Sequence, residues 1–174
     1  ELSYKHEARN NTRFAEMFRD DLGVYIPAVY AEYSSDRVLT MEDVTAIKID
    51  DLAALEAAGI SQKAVAQRLM NTYLRQIFEE RFFHADPHPG NLFVSPLPAS
   101  VHKDAAYQRV DNRAAVADHL IFIDFGMTAS VTPEIVAGLV DTLGAVISRD
   151  PRKLIESYAA LGFVLPGADL DRLE

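Results

Sequence analysis

The sequence predicts an α+β fold in which a short amino-terminal part, with one helix and two antiparallel strands, precedes a larger and mostly helical part. Three observations support this prediction: an amphipathic pattern of helical period over residues 2–18, two short β-prone runs after it, and long helical patterns in the remainder. The chain has 174 residues, of which 49% are hydrophobic, and this is enough apolar material for one packed domain.

The amino-terminal part is predicted to span residues 1–41. Its helix is expected over residues 1–18, where charged residues separate the apolar ones. The segments 29–33 and 38–41 are rich in Val, Tyr and Leu, and a Ser-Ser-Asp turn lies between them. This pattern predicts two antiparallel strands joined by a short turn.

Residues 42–48 are predicted to be a hinge, and residues 49–174 to form the larger part. The spacing of apolar residues predicts a short helix over residues 49–58 and a long helix over residues 62–81, which Ser61 caps. Further helices are expected to begin near Pro133 and at Asp150-Pro151, because proline is favoured in the first turn of a helix.

Two short apolar runs, residues 92–94 and 120–123, predict a buried strand pair inside this larger part. The residues between them, about 97–118, are polar and irregular, and we expect a surface insertion there. Because Glu1 already lies in a helical pattern without a lead-in, we expect the chain to be a fragment of a longer protein.

The composition excludes several classes of function. The net charge is −9 with acidic residues spread along the chain, which disfavours binding to nucleic acid or to anionic lipid through bulk charge. The chain has no Cys, so disulfides and thiolate metal sites are excluded. No apolar run approaches the roughly 18 residues that a transmembrane helix needs, so no membrane span is predicted.

The residues that could take part in catalysis or metal binding lie in two separate motifs. His84-Ala85-Asp86-Pro87-His88-Pro89-Gly90-Asn91 has the spacing H-x-D-x-x-x-x-N, which is the catalytic-loop pattern of kinases. Asp124-Phe125-Gly126 follows an apolar strand, as the metal-binding triplet of kinases does. The two patterns in this order arise by chance in on the order of one chain in a thousand or fewer. They predict a protein-kinase-like fold with a mostly helical C-lobe and a truncated N-lobe.

Phosphoryl transfer explains why these residue types occur together. Mg²⁺, which neutralises the phosphate charge, prefers oxygen ligands, and we expect the Asp124 carboxylate and the Asn91 amide oxygen to supply them. Asp86 is the predicted catalytic residue that orients or deprotonates the attacking hydroxyl. His84 and Gly126 are predicted to hold the loops in shape. The predicted cofactors are Mg²⁺ and ATP.

Each of these residues also has a simpler structural interpretation. Asp86 before a proline and Asn91 are ordinary turn residues, and Asp124 can serve as a strand-end cap. For His88, an exposed loop position is favoured over a contact with phosphate. The functional interpretation therefore depends on the joint spacing of the two motifs rather than on any single residue.

The chain resembles the UbiB/AarF family of atypical kinases, which is linked to ubiquinone and other isoprenoid-quinone metabolism. Residues 82–91 are similar to the signature of that family, and residues 123–127 to its metal triplet. Residues 1–10, with Glu1, Tyr4, Glu7, Ala8 and Asn10, resemble its helix motif E-x-D-Y-x-x-E-A-x-N. Residues 37–42 resemble its final N-lobe strand and hinge.

The resemblance implies further site residues and two departures. It implies that Glu1 pairs with an upstream lysine that holds the phosphates, and that Met41 and Glu42 lie at the nucleotide. Ser3 stands where the family usually has Asp, which bears on normal activity, and residues 43–46 differ from the usual run after the hinge. The upstream lysine and the nucleotide-covering loop precede this chain, so we expect the isolated chain to turn over little ATP.

The resemblance also implies partners and a location. Isoprenoid lipids or proteins of quinone biosynthesis are the implied partners besides ATP, and nucleic acid is not one. The implied location is the cytoplasmic side, peripheral to the inner membrane through segments outside this chain.

Three functions remain open from the sequence. The first is a kinase or ATPase of the UbiB type, which the Ala85-Asp86-Pro87 sequence and the Glu1 helix favour. The second is a small-molecule phosphotransferase of the aminoglycoside or choline kinase kind, because those enzymes share H-x-D-x-x-x-x-N. The third is a nucleotide-gated lipid-binding or scaffold module, which would bind ATP without hydrolysing it.

Overall fold

The computed structural model describes residues 3–44, 46–97 and 118–164. Over these residues it is an α+β structure, as the sequence predicts. The helices are α1 (Tyr4–Met17), α2 (Leu52–Ala57), α3 (Gln62–Leu74), α4 (Pro133–Ser148) and α5 (Pro151–Ala160). The strands are β1 (Val24–Tyr25), β2 (Ile47–Lys48), β3 (Phe82–His84), β4 (Leu92–Pro96), β5 (Asp118–Phe122) and β6 (Thr128–Ser130).

The first helix forms where its amphipathic pattern predicts it. The Ser3 side chain accepts a hydrogen bond from the Lys5 amide at 3.3 Å, which caps the amino terminus of α1. One face of α1 is buried and carries Asn10, Asn11 and Phe14. Glu1, for which the family resemblance implies a phosphate-site role, lies outside the described residues.

A four-stranded sheet has the strand order β1-β5-β4-β2. Strands β4 and β5 pair antiparallel, which confirms the predicted strand pair, and Leu92 lies opposite Phe122. Strand β1 adds a short parallel pairing to β5, and β2 adds an antiparallel one to β4. The sheet is thus larger than the sequence indicated, because two-residue strands leave almost no periodic signal.

The amino-terminal strands are less regular than predicted. Residues 29–33 and 38–41 do run antiparallel, but they pair at one isolated bridge, Val29 with Met41, and a second bridge joins Ser35 of the turn to Val38. Ala31–Tyr33 is a 3₁₀ turn rather than a strand. The Ser34 hydroxyl accepts from the Thr40 amide at 3.0 Å and donates to the Tyr30 carbonyl at 2.8 Å. Such side-chain bonds to backbone compete with a strand ladder.

The remaining helices begin at residues whose side chains cap them, and Ser61 is the cap that the sequence predicted. Asp51 caps α2 and Ser61 caps α3, each accepting a hydrogen bond from the amide three residues later. Helix α3 continues into a π-helical segment, Arg75–Glu79. Thr132 caps α4 and Asp150 caps α5, and a proline follows each cap as expected. Among the described residues, no helix is long and apolar enough to cross a membrane.

The chain divides into two compact units. The first comprises Glu1–Arg75 and His84–Ala129, and it contains α1–α3 and the four-stranded sheet. The second comprises Gln76–Phe83 and Ser130–Glu174, and its helices α4 and α5 pack on each other. The predicted organisation into an N-lobe (1–41), a hinge (42–48) and a C-lobe (49–174) is a different division and stays a prediction. Most of the predicted insertion, residues 98–117, lies outside the described residues.

Candidate active site

The ends of two neighbouring strands bring the two motifs together. Asn91 directly precedes β4 and Ile123 directly follows β5, and Leu92 lies opposite Phe122 in the antiparallel pair. The Ile123 amide donates to the Asn91 carbonyl at 3.0 Å. The catalytic-loop motif and the metal triplet therefore meet at one end of the sheet, although they lie more than 30 residues apart in the sequence.

Asn91 fixes the position of Asp86. Its side-chain Nδ2 donates to Asp86 Oδ2 at 2.9 Å and also lies 3.4 Å from the Asp86 carbonyl oxygen. An amide has two donor hydrogens on nitrogen and acceptor capacity on oxygen, so this pairing leaves Oδ1 of Asn91 as an acceptor for a cation. One residue can thus orient the predicted catalytic carboxylate and offer a metal ligand.

The turn between Asp86 and Asn91 depends on His88 and Gly90. The His88 side chain is exposed, as expected, but its Nδ1 accepts from the Gly90 amide at 3.0 Å and caps the 3₁₀ turn Pro89–Asn91. A Cβ on Gly90 would lie 2.9 Å from that nitrogen, which is too close. No sequence pattern indicated this capping role of His88.

Asp124 has a left-handed backbone conformation with φ of 58°. Non-glycine residues rarely adopt it, although Asp does so more readily than most. The Asp124 Oδ1 accepts from the Gly126 amide at 3.2 Å, which supports the turn locally. Strained backbone of this kind is concentrated at functional sites, where surrounding contacts maintain it.

His84 holds the triplet from the core side. Its side chain is 0% exposed, and Nε2 lies 2.7 Å from the Asp124 carbonyl oxygen and 3.3 Å from that of Ile123. Because a carbonyl only accepts, Nε2 must carry the hydrogen. The rings of Phe14, Phe122 and Phe125 pack around the imidazole, with centroids 5.5–6.3 Å away.

Helix α1 contacts the same triplet through two polar side chains. Asn10 Nδ2 donates to the Phe125 carbonyl at 2.9 Å, and Glu7 lies close enough to the Phe125 amide for that amide to favour the charged carboxylate. Burial, and then the negative charge of Asp124, raises the pKa of Glu7, while the Phe125 amide acts in the opposite direction. Glu7 and Asn10 were not predicted as site residues. Both belong to the helix motif that resembles the UbiB/AarF family, and their separation of three positions places them on one helical face, so these two signals were available.

Tyr73 of α3 lies close to the catalytic loop. Burial, followed by the negative charge of Asp86, raises the pKa of Tyr73 to about 12. The hydroxyl is buried and has no hydrogen-bond partner among the described residues. Its ring packs against Phe122 with centroids 6.2 Å apart. Tyr73 is a second neighbour of the site that sequence patterns did not indicate, because aromatic residues on a helical stripe are usually core.

The predicted nucleotide residues Met41 and Glu42 lie at the end of the irregular amino-terminal segment. Met41 forms a bridge with Val29, and the Glu42 carboxylate accepts from the Tyr25 hydroxyl at 2.6 Å and from the Ala28 amide at 3.1 Å. Burial, and then Glu42, raises the pKa of Tyr25 to about 12. The Glu42 side chain therefore anchors β1, and a nucleotide-binding role for either residue stays a prediction.

The donor atoms of the site suit Mg²⁺ bound together with a phosphate. Among the described residues, no group of three or more His, Cys, Asp or Glu side chains could hold a metal ion by itself. Mg²⁺ is commonly held by only one or two carboxylates, with water and substrate phosphates completing an octahedron. One carboxylate, Asp124, and the amide oxygen of Asn91 fit that mode of binding.

Comparison with known proteins agrees with the fold and the motifs. A model of the ABC1 atypical kinase-like domain matches residues 1–158. The chloroplast protein ACTIVITY OF BC1 COMPLEX KINASE 8 of Arabidopsis thaliana is 36% identical over 170 residues, covering 98% of this chain and 20% of the relative. An uncharacterized protein of Synechocystis sp. is 38% identical, covering 98% of this chain and 26% of the relative. The chain thus spans about a quarter or less of the length of these relatives.

A solved structure shares the fold. The erythromycin complex of Rv3197 from Mycobacterium tuberculosis aligns with a TM-score of 0.60, covering 97% of this chain and 37% of that one. The sequence identity is 22%, so this likeness concerns the fold alone. Together with the family match, it confirms the prediction of a protein-kinase-like fold.

Proposed function

Because the chain belongs to the ABC1 atypical kinase-like family, which includes the UbiB proteins, we propose that its site binds Mg²⁺ and ATP and transfers or hydrolyses the γ-phosphoryl group. The observation that carries the proposal is the Asn91–Asp86 hydrogen bond at the strand end where the left-handed Asp124 also lies. A kinase-type reaction needs these groups together, since it depends mainly on positioning and electrostatics.

Within this proposal, Asp86 has the catalytic role. Its carboxylate would accept the proton of an attacking hydroxyl or water, or orient that group for in-line attack. Asn91 holds the carboxylate through Nδ2, so the Asp86 side chain does not have to be ordered at the moment of reaction. Burial and Asp86 raise the pKa of the nearby Tyr73 hydroxyl further above neutral pH, from 10.0 to about 12.

Asn91 and Asp124 would hold Mg²⁺ through Oδ1 of the amide and the carboxylate. A bound Mg²⁺ supplies neutralisation of the charge on the β- and γ-phosphates. His84 and the Gly126 amide keep the Asp124 turn in place before any cation arrives. Such preorganisation lowers the cost of ordering the site during catalysis.

The proposal also concerns the group that accepts the phosphoryl group. The UbiB resemblance suggests a role in the metabolism of ubiquinone or a related isoprenoid lipid, with an isoprenoid lipid or a quinone-biosynthesis protein as partner. It also suggests a peripheral position on the cytoplasmic side of the inner membrane, through segments beyond this chain. The contacts of the catalytic loop are equally compatible with water as acceptor, which would make the protein an ATPase.

The first experiment separates binding from turnover. In the full-length polypeptide that carries this chain, ATP affinity with and without Mg²⁺ and the rate of ADP release would be measured for wild type and Asp86→Asn. We expect Asp86→Asn to keep Mg²⁺-dependent ATP binding and to lose about 100-fold or more in turnover. The variant Asp20→Asn, which changes an exposed carboxylate far from the motif in sequence, is the matched control and should behave as wild type. Full turnover in Asp86→Asn would refute the assignment.

A second experiment addresses the open alternatives. ATP turnover would be followed with liposomes that contain an isoprenoid alcohol, with choline, and with an aminoglycoside. Stimulation by the isoprenoid liposomes supports the proposed function. Phosphorylated choline or aminoglycoside would instead favour a small-molecule phosphotransferase, and Mg²⁺–ATP binding without any turnover would favour a nucleotide-gated lipid-binding or scaffold module.

A further inference from the structure

Three of the four polar atoms in the two peptide groups that follow Asp124 have hydrogen-bond partners, and the fourth lies close to a carboxylate. In the first group, the Asp124 carbonyl faces Nε2 of His84 at 2.7 Å, and the Phe125 amide favours the charged form of the Glu7 carboxylate. In the second, the Phe125 carbonyl accepts from Asn10 at 2.9 Å, and the Gly126 amide donates to Asp124 at 3.2 Å. Helix α1 supplies two of these four partners, through Glu7 and Asn10.

These bonds oppose relaxation of the strained backbone. Asp124 has φ of 58°, and a return to negative φ would rotate its Cβ and its carbonyl carbon about the N–Cα bond. That rotation would separate the Asp124 carbonyl from His84 and displace the Phe125 peptide groups from Asn10 and Glu7. It would also turn the Asp124 carboxylate, because Cβ moves in the same rotation. The conformation of the predicted metal ligand is therefore coupled to α1.

We propose that Glu7 and Asn10 are positioning residues that fix the Asp124 carboxylate through the backbone of Phe125, so that α1 sets the affinity of the site for a divalent cation. The inference rests on the proposed function for the identity of the cation site. Neither side chain touches the reacting atoms in this role. Phe14, one turn after Asn10 on α1, packs on Phe125 with ring centroids 4.9 Å apart and adds an apolar contact to the same residue.

The chain offers a matched control for Asn10. Asn11 lies on the same helix, is similarly buried (2% exposed, against 7% for Asn10), and donates to the Pro27 carbonyl at 3.1 Å. Replacing either residue by Ala removes one buried amide and leaves one buried carbonyl without that donor, so both should destabilise the fold to a similar degree. Only the Asn10 hydrogen bond ends at the turn that carries Asp124.

The test measures Mn²⁺ binding by the loss of its free EPR signal, in the full-length polypeptide saturated with ADP. We expect Asn10→Ala to weaken Mn²⁺ binding about tenfold, while ADP affinity without metal changes less than about twofold. Asn11→Ala should leave Mn²⁺ affinity within about twofold of wild type at a comparable drop in Tm. Equal weakening in the two variants would mean that general destabilisation explains the effect, and it would overturn the proposal.

Glu7 allows positioning to be separated from direct electrostatics. Glu7→Gln retains an oxygen acceptor for the Phe125 amide but loses the charge, whereas Glu7→Ala loses both. If Glu7 acts by positioning the backbone, the Mn²⁺ affinity of Glu7→Gln should stay within about threefold of wild type. The Mn²⁺ affinity of Glu7→Ala should fall about tenfold. If the Mn²⁺ affinity falls equally in both variants, the charge of Glu7 acts on the cation directly and the positioning role is wrong.

Amide hydrogen exchange distinguishes failure of this inference from failure of the proposed function. If wild type binds no Mn²⁺ with ADP, the proposed function fails, but exchange at Phe125 and Gly126 still reports the turn. We expect exchange at these two amides to speed up about tenfold in Asn10→Ala and to stay at the wild-type rate in Asn11→Ala. Unchanged exchange in Asn10→Ala would overturn the positioning role whatever the metal result.

Discussion

Asn91 donates a 2.9 Å hydrogen bond from its side-chain nitrogen to the Asp86 carboxylate, across a loop of only four intervening residues. The same residue accepts from the Ile123 amide through its backbone carbonyl at 3.0 Å. Asn91 is therefore the junction between the catalytic loop and the strand that leads to Asp124. Its importance follows from these contacts, and it can be tested by substitution.

Asn91→Ala should impair both proposed roles of Asn91, the positioning of Asp86 and the binding of Mg²⁺. The substitution removes the donor that holds Asp86 and the oxygen proposed as a Mg²⁺ ligand, so we expect turnover to fall about 100-fold or more and Mg²⁺ affinity about tenfold. The backbone bond to Ile123 persists, so Tm should change by only a few degrees. Steady-state kinetics with a Mg²⁺ titration, compared with Asn71→Ala on the exposed surface of α3, would check this. Wild-type kinetics in Asn91→Ala would exclude the role.

Asp124→Asn should remove metal dependence while leaving the fold intact. Asn tolerates the left-handed conformation about as well as Asp, and its side-chain oxygen can still accept from the Gly126 amide. Only the charge is lost, so we expect ATP affinity in the presence of Mg²⁺ to fall to the metal-free level with Tm nearly unchanged. Calorimetric titration with and without Mg²⁺ measures this. Retained Mg²⁺-dependent affinity would contradict the assignment of Asp124.

Gly90→Ala should damage the loop, whereas Gly144→Ala should stabilise the chain. A Cβ on Gly90 would lie 2.9 Å from Nδ1 of His88 and displace the ring that caps the turn. We expect a loss of about 1 kcal/mol in unfolding free energy and roughly a tenfold loss of turnover. Gly144 lies inside α4 with nothing within 4 Å of such a Cβ, so the same substitution should add about 0.5–1 kcal/mol. Denaturant unfolding of the two variants tests whether the unfolding free energy falls in Gly90→Ala and rises in Gly144→Ala.

The sequence named the residues of the candidate site from local motifs, whereas it indicated the shape of the amino-terminal part only in outline. The catalytic-loop and triplet motifs are local patterns with fixed spacing, so their residues could be named before their positions in space were known. The cap at Ser61 and the helix starts near Pro133 and at Asp150 were equally local, and they lie where helical patterns begin. Local patterns are what a single sequence reveals best.

The features that sequence reasoning missed depend on contacts distant in the chain. Asn10 meets Phe125 across 115 positions, and no spacing rule relates two residues so far apart. The strand expected at Ala31–Tyr33 became a 3₁₀ turn because Ser34 and Thr40 bond to the backbone. β-propensity indicates a residue that fits a pleated surface, and it does not account for such competing bonds.

The buried ion pair between Arg68 and Asp118 should contribute far more to stability than the exposed pair between Lys5 and Asp36. The Arg68 and Asp118 side chains are 17% and 6% exposed, and removing one partner leaves a buried charge unpaired. We expect Arg68→Met to lower the unfolding free energy by about 3–5 kcal/mol, and Arg68→Met with Asp118→Leu to recover most of it. Lys5→Met, in a pair that is 64% and 68% exposed, should cost less than about 1 kcal/mol. Equal losses of unfolding free energy in Arg68→Met and Lys5→Met would show that Asp118 is solvated.

His119 should make the stability of the fold depend on pH in the acidic range. Burial, followed by the positive charge of Arg68, lowers the pKa of His119 from its ordinary value of 6.5, although Asp118 acts in the opposite direction. Below about pH 6.5 the unfolded state then binds a proton that the folded state does not, so the unfolding free energy should fall as pH decreases and rise with pH up to that value. The ring also stacks on Tyr25, with centroids 5.3 Å apart. His119→Phe keeps an aromatic ring there without a titrating group, and it should show a smaller slope between pH 5 and 7 in urea unfolding. An unchanged slope in His119→Phe would assign the pH dependence to another group.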